Sequence, residues 1–337
     1  MSVQINKVER EEDINQFLNE FFNFNYPKRK ILFDNIKNIY ALISFLNNNM
    51  EDLEMDDEDF RLSSEANLND KIKLIDDFYR SIDVDFKFDK IIEDGTFEIL
   101  GTNSLYGIAD NELNGGFNNY YGQHKAIEVY NNGLLTDSIT WVHEISHYRN
   151  QTDIERAEVN DMLTELLAVT ESLIYTDYLE KLGYKKEATM FKIAQYNILY
   201  YVIKVSYPLM KIYLLYFLLG EVSKDNYKYL YKENYSYDRT INLFKKLNNR
   251  EYNEIFTLIW YSIATIAIYN YERYKKDNSY IGKVKELNYK IQTDISLEDA
   301  LKIIDIRLDS DSLNKILNGL NSFKNEIIKE KSNYSKI

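Results

Sequence analysis

The chain has 337 residues, 45% hydrophobic and 28% charged, which is material for one large folded domain or two modest ones. A net charge of −13 disfavours nucleic acid and anionic membrane surfaces as partners. With no cysteine, disulfides and a thiol nucleophile are excluded. Only two prolines and eleven glycines interrupt this length, so long helices are expected rather than a sandwich of short strands. The opening residues Met1 to Lys7 lack the apolar core of a signal peptide, and a cytoplasmic location is the expected default.

Apolar residues recur at helical spacing over Glu11 to Asn25 (Ile14, Phe17, Leu18, Phe21, Phe22), and again over Ile31 to Asn48. The charge run Glu51 to Asp59 reads as a solvated loop or helix end, and a further helix follows through Lys71 to Phe78. Residues 1–95 are therefore expected to form an N-terminal helical region ahead of a second domain over 96–335. From Phe97 the character changes. Thr96 to Leu100 and Ala126 to Tyr130 read as short strands, separated by a loop-rich segment, Asn111 to Gly122, that contains Gly115-Gly116-Phe117. Asn131-Asn132-Gly133 signals a turn, after which Asp137 or Ser138 can cap a helix ending near Asn150. Thr152 or Asp153 can cap the next helix.

The helix over Asp137 to Asn150 carries the chemistry. Trp141 to Tyr148 contains His143-Glu144-Ile145-Ser146-His147, an H-E-x-x-H pattern that uses two of the three histidines in the chain. Residues four apart share a helix face, so His143 and His147 can offer two imidazoles to one metal ion. Glu144 can reach a water on that metal rather than the metal itself. Two nitrogen ligands and a carboxylate base make the donor set of a zinc hydrolase. A third protein ligand is needed, and the following helix offers Glu158 and Glu165, seven apart on one face. One could ligate while the other supports the site, with Asp161 a weaker supporting candidate.

Beyond this point the pattern is almost wholly helical, through Tyr196–Leu219, Tyr237–Leu247, Tyr252–Lys276 and a last segment ending near Glu330. The apolar run Ile198 to Gly220 contains Lys204, Pro208 and Lys211. It is expected to be a buried helix, kinked or divided at Pro208, rather than a membrane span.

These residues resemble the thimet oligopeptidase and oligoendopeptidase F family of zinc peptidases. Gly115-Gly116-Phe117, Ile127 to Asn132 and Asp137 to His147 are similar to the family's glycine-bearing loop, edge strand, turn and H-E-x-x-H helix. Ala157-Glu158-Val159 with Glu165-Leu166-Leu167 resembles its A-E-V-x-x-x-x-x-E-L-L segment. Tyr261 to Thr265 and Ile295 to Leu301 resemble its C-terminal helices. The resemblance implies a mainly α, zincin-like catalytic domain with a small β-sheet edge beside the active-site helix. It also implies Zn²⁺ on His143, His147 and Glu158, Glu165 as a supporting residue, and Glu144-assisted hydrolysis of short peptides.

Two departures stand out. Only ten residues separate His147 from Glu158, fewer than the family has, so Glu165 stays open as an alternative ligand. Arg250 and Asn253 stand where the family's C-terminal histidines are expected, leaving Tyr252 and Tyr261 as candidate donors to the substrate carbonyl or its oxyanion. A metal-holding but catalytically silent peptide-binding relative is the alternative. The N-terminal helical region is also expected to be shortened.

Overall fold

The computed structural model describes residues 11–23, 27–53, 63–99, 117–121, 124–150, 157–231, 234–248, 258–259, 261–291 and 295–334. Helices α1 (Glu11–Asn23), α2 (Pro27–Asn49), α3 (Leu68–Ser81) and the short α4 (Phe88–Glu93) precede a small sheet. Its strands are β1 (Phe97–Ile99), β2 (Phe117–Tyr121) and β3 (His124–Val129), in the order β1-β3-β2. β1 runs parallel to β3, with Phe97 opposite Ile127 and Ile99 opposite Val129. β2 is antiparallel to β3, with Phe117 opposite Glu128 and Tyr121 opposite His124.

Strands β1 and β3 lie where strands were expected, at 97–99 and 124–129, but β2 replaces part of the expected loop. Its sequence Phe-Asn-Asn-Tyr-Tyr carries two asparagines, poor strand formers that hide the signal, and pairing with β3 overrides the local preference.

After the sheet come α5 (Asp137–Asn150), α6 (Ala157–Lys181) and α7 (Lys185–Leu219). Helices Lys224–Tyr231, Asn234–Asn248, Thr265–Lys276, Ile281–Lys290, Leu297–Ile303 and Ser310–Tyr334 follow. The fold is mainly α, with the small sheet set against α5.

α7 is a single helix of 35 residues and is not divided at Pro208. Tertiary contacts hold it in the turn ahead of the proline. Lys204 Nζ donates to Asn47 O at 2.6 Å, and Ser206 Oγ donates to Leu258 O at 3.0 Å. It stops at Gly220, whose left-handed φ of 76° lets its N–H reach Tyr216 O. By length and composition α7 is long enough to cross a membrane, yet half of its most apolar window is buried within the fold. Leu199, Ile203, Leu209, Ile212, Tyr213 and Leu215 are among its fully buried side chains.

Buried residues from both sides of residue 95 belong to one continuous core. Ile14, Leu18, Ile39 and Leu46 join Ile75 and Phe78, then Val142, Leu166, Ile203, Ile268 and Phe323. Phe17 of α1 meets Phe244 edge-on at 5.7 Å, and Tyr196 of α7 donates to Glu51 O at 2.8 Å.

Candidate active site

α5 is held at both ends, by Lys71 of α3 at its start and by Glu171 of α6 at its end. At its start, Lys71 and Asp137 form an ion pair at 2.7 Å, both side chains essentially inaccessible to water. Lys71 Nζ also donates to Asn131 Oδ1 at 2.5 Å and lies 4.8 Å from the Trp141 ring. The Asp137 carboxylate accepts from the backbone N–H groups of Asn132 (2.9 Å) and Leu134 (3.1 Å). It therefore braces the preceding turn, in place of the helix-capping role that its position in the sequence suggests. The physical reason is that the first N–H groups of α5 already have partners: Ser138 N donates to Leu135 O, and Ile139 N to Thr136 O. Ser138, the other expected cap, instead donates its hydroxyl to Leu135 O and accepts from Tyr175 Oη at 3.0 Å.

At the far end of α5, Arg149 donates to both carboxylate oxygens of Glu171 in α6, at 3.1 and 2.9 Å. Tyr79 Oη and Asn288 Nδ2 donate to the same buried carboxylate. The sheet side of α5 is filled by Trp141, which packs edge-on against Phe97 and donates Nε1–H to Tyr130 O at 3.0 Å.

On this clamped helix the Nε2 atoms of His143 and His147 stand 3.1 Å apart. Glu165 of α6 brings Oε1 to 3.4 Å from His147 Nε2 and Oε2 to 3.6 Å from His143 Nε2. One ligand atom from each of the three residues falls within a 4.8 Å group. Glu165 Oε2 is buried and has no hydrogen-bond partner among the described residues. Two imidazole nitrogens and an unsatisfied carboxylate oxygen facing one point are a donor set that a divalent cation would complete.

Glu158 lies in α6, seven residues before Glu165, which is about 10 Å back along the helix axis. Its side chain and that of Asp161 lie outside the described residues. Tyr252, Arg250 and Asn253 also lie outside them, as do Thr152, Asp153 and the loop with Gly115 and Gly116.

The electrostatics follow from burial. His143 is driven down to about 4, first by loss of water and then by His147, with Glu165 opposing. The Glu144 carboxyl is pushed up to about 7 by burial, with His147 pulling it back and Glu165 adding to the rise. Burial would also raise Glu165, but the charge and hydrogen bond of His147, with His143 behind it, hold it below the usual carboxylate range. Tyr261, immediately ahead of the short turn Ser262–Ala264, is brought to this cluster. Its phenol is pushed well up by burial and by the Glu165 and Glu144 carboxylates, while Gln195 of α7 acts the other way. Gln195 stands out in the sequence only as a polar residue within an apolar helix.

No protein-family model matches the sequence. No curated protein matches it either. The fold, however, is shared with solved peptidase structures. One is a protein assigned as oligoendopeptidase F from Bacillus anthracis str. Ames, with a TM-score of 0.53 at 12% identity over 95% of this chain and 62% of that one. Another is PZ peptidase A bound to an inhibitor, with a TM-score of 0.51 at 13% identity over 95% of this chain and 65% of that one. The chain thus spans less than two thirds of the length of either structure, and the likeness is one of fold.

Proposed function

We propose that the chain is a zinc-dependent peptidase that hydrolyses peptide bonds in short peptides. The observation that carries this reading is the convergence of His143, His147 and Glu165 beside the buried carboxyl of Glu144. Glu165, rather than Glu158, is the third ligand in this proposal. The likeness to oligoendopeptidase F and PZ peptidase A supports the reading. So does β2, which among the described residues pairs on one side only and can offer its other edge to an extended peptide.

A zinc ion held by these three residues would polarise the scissile carbonyl and acidify the attacking water. Glu144 accepts a proton from that water as its oxygen bonds to the carbonyl carbon. It then passes the proton to the amide nitrogen as the C–N bond breaks, leaving an acid and an amine. A carboxyl poised near 7 is suited to both halves of this exchange. Tyr261 donates its O–H to the oxygen that gains negative charge.

The test is elemental analysis of the wild type beside Glu165→Ala and Glu158→Ala, with a quenched-peptide assay on each. One zinc per chain, lost with cleavage in Glu165→Ala and kept in Glu158→Ala, is the expected result. Loss in Glu158→Ala alone would return the ligand to that position, and a zinc-free wild type would overturn the proposal.

A further inference from the structure

Two of the three candidate ligands sit on α5 and the third on α6, so the site exists only at one setting of α6 against α5. Sliding α6 by one residue moves a side chain by about 1.5 Å and turns it by about 100°. Metal–ligand distances tolerate only about 0.2 Å. The apolar side chains between the two helices, Val142 and Ile145 on one and Leu163 and Leu166 on the other, are fully buried but non-directional. Packing of that kind does not by itself single out one register.

A directional tie stands beside the site. Glu171 lies six residues beyond Glu165 on α6, and Arg149 lies two residues beyond His147 on α5. Arg149 Nη1 donates to Glu171 Oε1 at 3.1 Å and to Oε2 at 2.9 Å. Asn288 Nδ2, from helix Ile281–Lys290, donates to Oε1 at 3.3 Å, and Tyr79 Oη, from α3, donates to Oε2 at 3.3 Å. Tyr79 is fully buried, its ring lies 4.9 Å from the Arg149 guanidinium, and its hydroxyl stands 3.5 Å from Val142 O, one residue ahead of His143. Four helices thus converge on one carboxylate whose side chain is only 4% exposed. Any shift of α6 along α5 breaks this set and strands a charge at depth, a cost that apolar packing does not impose.

We propose that Arg149 and Glu171 are positioning residues that lock the register of α6 on α5 and so bring Glu165, and no other carboxylate of α6, to His143 and His147. This rests on the metal set in the peptidase reading above. Specifying register is the best-attested use of a buried ion pair. In this inference neither residue touches the metal, the peptide or the reacting atoms.

The experiment measures zinc Kd, by competition with a chromophoric chelator, and the visible spectrum of the cobalt-substituted protein. The variants are Arg149→Met, Glu171→Gln and the double Arg149→Met/Glu171→Leu, each at a temperature where circular dichroism shows it folded. Lys192→Met is the control, because it removes a buried cation bound to Glu180 of α6 and to helix Ser310–Tyr334 but not to α5. Each single variant should weaken zinc binding about 10-fold, the lower end for residues that support a metal site, and should alter the cobalt band. The double variant should regain melting temperature relative to the singles, since both charges are gone, yet should not regain zinc affinity. Lys192→Met should lose stability with zinc Kd and cobalt spectrum unchanged.

Wild-type zinc affinity and cobalt spectrum in the double variant would overturn the register lock, as would an equal loss of affinity in Lys192→Met. A wild type that takes up no zinc overturns this inference together with the peptidase reading. A wild type that binds zinc and cleaves no peptide overturns the peptidase reading alone, and the affinities still decide the lock.

Discussion

Replacing Lys71 with Met should cost the protein about 3 kcal/mol of stability, the lower end of what breaking a buried ion pair costs. The lysine is fully inaccessible, and its ammonium has Asp137 at 2.7 Å, Asn131 Oδ1 at 2.5 Å and Leu134 O at 3.3 Å. Methionine fills much of the same volume, so the loss is electrostatic rather than one of packing. It leaves the Asp137 carboxylate in a site with 2% side-chain exposure and no cation. The N–H groups of Asn132 and Leu134 still reach that carboxylate, which is why the lower end of the range is expected. In equilibrium terms the ratio of folded to unfolded chains should fall by about a hundredfold.

Urea unfolding followed by tryptophan fluorescence is the assay, since Trp141 lies 4.8 Å from the Lys71 ammonium and reports on this end of α5. The midpoint should fall with little change in slope. Lys71→Met combined with Asp137→Asn removes both charges and should recover at least about 1 kcal/mol relative to the sum of the single losses. A single-variant loss under about 1 kcal/mol, or strict additivity in the double variant, would refute the claim that this pair anchors the helix.

Other consequences can be checked separately. Glu144→Gln should keep its zinc while peptide cleavage falls by at least about 100-fold, the lower range for a lost general base. Full cleavage by a metal-replete, folded Glu144→Gln would remove Glu144 from the mechanism. Lys192, inaccessible to solvent, holds Glu180 at 2.5 Å, Glu326 at 2.9 Å and Glu330 at 3.7 Å. Burial would raise Glu326, but Lys192 and Lys275 hold it below its ordinary 4.5, so its contribution is present above that pH and is lost on acidification. Glu180 is raised by burial despite Lys192, so its contribution has the opposite sign, present in acid and lost as the pH rises. Lys192→Met leaves three neighbouring carboxylates, so its cost should be about 3 kcal/mol at neutral pH and shrink as they protonate. Denaturation at several pH values tests this, and a pH-independent cost would contradict it. Gly319 of helix Ser310–Tyr334 has Tyr269 Cα 3.3 Å from where a Cβ would stand. Gly319→Ala should therefore lower the melting temperature despite a helix-propensity gain of up to about 1 kcal/mol, because the obstacle is backbone. A raised melting temperature would show that the two helices can part.

Much of the candidate site could be read locally. The helix from Asp137 to Asn150 follows from its turn signal and the H-E-x-x-H pattern, and helix periodicity alone puts His143 and His147 on one face. β1 and β3 were legible from their β-branched and aromatic residues. β2 was not, because Asn118 and Asn119 oppose strand structure and only pairing with β3 offsets them. The undivided α7 was hidden for a similar reason. A proline removes one internal hydrogen bond, and whether the helix continues depends on what packs against it. Asp137 was legible as a polar residue at a helix start, but its acceptors were already committed to the turn and to Lys71, sixty-six positions away.

By itself, then, the sequence determined the helical character, the pair of histidines on one helix face and the carboxylate beside it, since all of these depend on neighbours within a few residues. Which carboxylate of α6 meets the two histidines was beyond it. Glu158 and Glu165 share a face at a spacing of two turns, so local geometry cannot separate them. Only the packing of α6 against α5 sets which turn meets the histidines, and it brings Glu165. The same holds for Tyr261, one tyrosine among thirty. Its proximity to Glu165 and Glu144 depends on how distant helices pack, which is a property of the core rather than of any stretch of chain.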